Sequence, residues 1–164
     1  MAEIRVRRFE QIRDLLEYAI QLHQCLRDWL DRARGYPQEK KVALLLDYLA
    51  EREQRLITAL KDYLKELEEE DPKVLEIWLP YPPDPYPWHE MLSRIAQFPA
   101  HEGLSFEEID RAIVGITADL ITILQNAYDE NDDRDVRAVL GNIIQLEQQE
   151  ERQLARNISM MADL

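Results

Sequence analysis

Seven of the eight prolines in this chain fall between Asp71 and Gly103. A proline removes a backbone donor and clashes with the preceding turn, so it interrupts a helix. The stretches on either side are nearly free of it and can form long helices. Before Gly35, Phe9, Ile12, Leu16, Ala19, His23, Leu26, Leu30 and Ala33 step by three and four. That spacing predicts a helix from roughly Val6 to Arg34 with one face turned inward. A second stripe, Val42, Leu46, Leu49, Glu53, Leu56, Leu60, Tyr63 and Leu67, predicts a helix over Gln38 to Glu69. Gly35 and Pro37 supply a stop and a start between them, and so short a link forces an antiparallel pair.

The third helix opens at "SFEE", where Ser105 and Glu108 can form a capping box. Its stripe is Ile109, Ile113, Ile116, Leu120, Ile123 and Ala127. The acidic turn Asp129 to Asp133 then offers N-caps for a fourth helix reaching about Met161. Short helices are expected near Asp71-Pro72 and over Trp88 to Gln97. The aromatics Trp78, Tyr81, Tyr86, Trp88 and Phe98 suggest that the proline-rich stretch is an ordered strap. A strap of that length can span the bundle and set the third helix parallel to the second. The expected fold is all-α: one domain over residues 1–164, an antiparallel four-helix bundle with a long crossover at 71–104.

Composition narrows the partners. A net charge of −13 repels phosphate backbones and anionic membrane surfaces, so neither is an expected ligand. The most hydrophobic window, Ala112 to Tyr128, has 17 residues with Asp119 inside it. A membrane span needs about 20 largely uncharged residues, so this window reads as a core helix. A single cysteine, Cys25, and an N-terminus without an apolar signal core fit a cytoplasmic protein. No phosphate-binding glycine loop or zinc-ligand cluster is present.

Polar residues interrupt the apolar seams near mid-helix. They are His23 on the first helix, Glu53 on the second, Asp119 on the third, and Glu147 with Glu150 on the fourth. Counted from the tight links, their levels differ by about 6 Å within each hairpin, at 1.5 Å per residue. Either the seams slip there and the acids face water, or the core holds carboxylates that need a metal, protonation or arginine partners. Arg52 and Arg55 lie close to Glu53 in sequence but on other predicted faces.

Two helical hairpins, a long crossover and mid-helix acids resemble the ferritin-like superfamily, which includes the rubrerythrins and bacterioferritins. That resemblance implies a Glu on the first and third helices and a Glu-x-x-His on the second and fourth, together holding two metal ions. This chain offers Glu51-x-x-Gln54, or Glu53 with Leu56 at the His position, and Glu147-x-x-Glu150, or Glu150-x-x-Gln153. The matching level carries His23 or Glu17 on the first helix and Asp119 on the third. Neither Glu-x-x-His is complete. The expected function is therefore a binding or protein-interaction module without a competent di-metal site and without a cofactor. The alternative is a divergent di-iron or di-manganese oxidoreductase using His23, Glu53, Asp119, Glu147 and Glu150. Apolar residues on several faces of the third helix, and the aromatic strap, lead us to expect a homodimer or another protein partner.

Overall fold

The computed structural model describes residues 9–164. The first turn predicted for the first helix, Val6 to Arg8, lies outside the described residues. Within them the chain is all-helical, with six helices: α1 (Ile12–Arg34), α2 (Lys40–Glu70), α3 (Pro72–Leu75), α4 (Tyr86–Gln97), α5 (Phe106–Glu130) and α6 (Arg134–Ala162). No helix among the described residues is long and apolar enough to cross a membrane.

The helix ends follow local chemistry. Glu108 N–H donates to Ser105 Oγ at 3.1 Å while Ser105 N–H donates to Glu108 Oε2, which closes the capping box of α5. Asp133 caps α6 by accepting from the amides of Asp135 and Val136. Asp14, in the first turn of α1, reaches back instead and accepts from the amides of Glu10 and Gln11 just before the helix.

Polar pairs fix the helix directions. Between α1 and α2, Arg13 meets Glu68, Arg27 meets Gln54 and Arg34 meets Asp47, so the two run antiparallel. Between α2 and α6, Lys41 Nζ reaches the Ala162 carbonyl, Asn157 reaches Tyr48 and Asn142 reaches Tyr63, again antiparallel. The short link at Asn131–Asp133 reverses the chain between α5 and α6, so α5 runs parallel to α2.

That crossover packs as part of the core. Trp88 is fully buried against Phe9 and Tyr18, with ring centroids 5.0 Å away in each case. The far end is tied to the α1–α2 link by Gln38, whose side chain bonds the His101 carbonyl and the Leu104 amide. Gly103 adopts φ 71°, a left-handed backbone that suits glycine, and its amide donates to the Pro37 carbonyl. His89 bonds Tyr18 Oη through Nδ1 at 3.1 Å. The all-round apolar character of α5 is only partly covered: Ile123 packs on the core, but Val114 is exposed.

Candidate functional site

Three long helices bring charged side chains to one place in the interior. His23 on α1 lies between Glu53 on α2 and Glu147 on α6. Its Nδ1 is 2.6 Å from Glu53 Oε2 and its Nε2 is 2.7 Å from Glu147 Oε1. All three are buried, the two glutamates completely. Burial pushes the His23 pKa down, but the charges of Glu147 and Glu53, with their hydrogen bonds, outweigh it and raise the pKa from 6.5 to about 10. At neutral pH the ring is thus an imidazolium, and both nitrogens donate.

Arg52 completes the group. It is fully buried and its Nη1 donates to Glu53 Oε1 at 2.8 Å. Glu53 therefore accepts from a histidine with one oxygen and from an arginine with the other. At the edge, Glu150 Oε2 lies 4.0 Å from Arg52 Nε and 3.6 Å from Arg55 Nη2, with its side chain 15% exposed. The buried charges balance: His23 and Arg52 against Glu53 and Glu147. Burying ions costs several kcal/mol each after relaxation, and only close, hydrogen-bonded pairing offsets it.

The sequence-predicted residues divide accordingly. His23, Glu53 and Glu147 meet directly, and Glu150 joins through Arg52 and Arg55. Asp119 does not join them. It is nearly half exposed on α5 and forms an ion pair with Arg94 of α4, on the outside of the core. The residues that α5 buries are apolar except for Thr117.

Arg52 corrects the sequence reading, which placed it on another face. The signal was available, because Leu45, Leu49, Arg52 and Leu56 also step by three and four. The buried face of α2 is wide enough to take both that stripe and the one through Glu53.

A metal ion needs several lone pairs turned to one point. Each His23 nitrogen instead faces its own carboxylate, and Arg52 adds a fixed positive charge beside Glu53. Among the described residues no group of three or more His, Cys, Asp or Glu side chains is arranged to hold a metal ion. As arranged, these side chains do not fit a metal pair. An imidazolium held by two carboxylates also loses its proton too reluctantly to act as a general base near neutral pH. Comparison with known protein families, curated proteins and solved structures finds no match to this chain.

Proposed function

We propose that this chain is a ferritin-like four-helix bundle with one long crossover, and that it works as a binding or protein-interaction module. In this reading the imidazolium of His23 and the guanidinium of Arg52 supply the positive charge that metals supply in bundles of that type. The observation that carries it is the double engagement of His23, at 2.6 and 2.7 Å, with Arg52 closing the remaining side of Glu53. The cluster is then a structural device that holds three helices in register. Function moves to the surface, where a second copy or another protein can dock on the exposed strap or the outer face of α5.

Metal analysis of protein purified without chelators tests the proposal. The expected result is iron and manganese far below one equivalent, unchanged in Glu147→Gln. Near-stoichiometric iron or manganese that disappears in that variant would overturn it.

A further inference from the structure

The ion centre has more hydrogen-bonding capacity than its own side chains use. Among the described residues, Arg52 Nε and Nη2, Glu147 Oε2 and Glu150 Oε2 are buried atoms with no hydrogen-bond partner. Arg52 donates only from Nη1, to Glu53, and Glu147 accepts only at Oε1, from His23. Buried polar atoms are nearly always paired, and an ionic group left partly unpaired is the costliest exception.

These atoms share one neighbourhood. Arg52 Nε lies 4.0 Å from Glu150 Oε2, beyond hydrogen-bond range, and Arg55 Nη2 lies 3.6 Å from the same oxygen. Glu147 stands one turn before Glu150 on α6, so both carboxylates rise from one side of that helix. A buried donor and acceptor 4.0 Å apart are too far for a direct bond. They are close enough for one small molecule to bridge, with a leg of about 2.8 Å to each.

We propose that the rim of the ion centre binds an ordered water, which accepts from Arg52 Nε–H and donates to Glu150 Oε2. The chemistry of the four atoms selects this ligand. Guanidinium N–H groups repel a metal cation, carboxylates repel an anion, and an apolar molecule would leave every one of the four unpaired. Water is neutral and offers two donors and two acceptors. Two N–H groups of Arg52 and two carboxylate oxygens are a set that one or two such molecules satisfy. The bridge joins α2 to α6 between the Asn157–Tyr48 and Asn142–Tyr63 bonds, at a level where charge and not packing meets charge. It also opens outwards: the Glu150 side chain is 15% exposed and that of Arg55 46%, whereas Arg52, Glu53 and Glu147 are sealed. The bound water therefore exchanges with solvent past Glu150, without unfolding of the bundle.

A high-resolution crystal structure of protein purified without chelators reads the site directly. The expected result is one ordered water within about 3.2 Å of both Arg52 Nε and Glu150 Oε2. Nuclear magnetic resonance supplies the reading in solution, as a water cross-peak to the Arg52 Nε–H. Glu150→Leu should abolish that cross-peak at unchanged helical content, and Glu150→Gln, which keeps an acceptor oxygen, should retain it. A direct Arg52–Glu150 bond with nothing between, a site without density, or a cross-peak that survives in Glu150→Leu overturns the proposal. Each of these outcomes leaves the interaction-module reading standing. A peak about 2.0–2.2 Å from the carboxylate oxygens would be a metal ion, and would overturn both.

Discussion

Two ion pairs, one within α2 and one between α4 and α5, form a controlled contrast. The Arg52–Glu53 pair lies in the core with both side chains fully buried, while the Arg94–Asp119 pair lies on the surface with side chains 40% and 48% exposed. Each joins one arginine to one carboxylate. The buried pair is locked into a larger group by His23 and Glu147, and the exposed pair shares its charge with water. The difference shows where this fold admits charge. A carboxylate enters the interior only where a neighbouring helix delivers a cation to it. On α5, which buries no cation, the acid turns outward to a helix of the crossover.

The sharpest way to break this contrast is Glu53→Gln. It leaves His23 and Arg52 facing one buried carboxylate between them, and removing one partner of a buried pair costs about 3–5 kcal/mol. Urea denaturation should show the loss as a lower midpoint at unchanged slope. A change below about 1 kcal/mol would mean that the cluster is not energetically coupled.

Next in size is the response to alkali. The folded-state pKa of His23 is raised from 6.5 to about 10, so its contribution to stability is fully present below pH 6.5. It declines as pH rises from there and is gone above pH 10. Melting temperature should therefore fall through that window, with the imidazole signals of His23 titrating near its upper end. Glu147→Gln removes one of the two charges that hold the proton and should bring the titration to lower pH. Titration of His23 near 6.5 in the unmodified protein would refute this account.

The smallest effects belong to the rim and the surface. Glu150→Leu exchanges a 15% exposed carboxylate, 3.6 Å from Arg55 and 4.0 Å from Arg52, for an apolar side chain. Lost attraction and gained burial oppose each other, so the midpoint should move by less than about 1.5 kcal/mol in either direction. Asp119→Asn should cost no more than about 1 kcal/mol, and less at high salt, as exposed pairs do. A loss at Asp119 as large as that at Glu53 would erase the comparison.

The helices and their order are legible in local sequence. Apolar steps of three and four, the Ser105–Glu108 box, the Asp133 cap and the crowding of prolines into one segment are local signals, and helix formation answers mainly to local signals. The sequence also marked His23, Glu53 and Glu147 as interruptions of apolar seams. It could not say what those interruptions face. One residue along a helix turns a side chain by about 100°, so Asp119 and Leu120, adjacent in sequence, end on opposite sides of the core boundary. The same rotation carries Arg52 inward beside Glu53, because α2 is covered on two sides, by α1 and by α6, and buries a face wider than one stripe. Tertiary structure alone decided that Trp88 fills the core against Phe9 and Tyr18 while Trp78, whose backbone bridges to Gln11 beside the buried Leu79, leaves its side chain 65% exposed. It also decided that the charge opposite the buried glutamates is an imidazolium and a guanidinium. That choice depends on which helix faces come together, and contacts between residues 30 to 124 positions apart are not written in any local spacing.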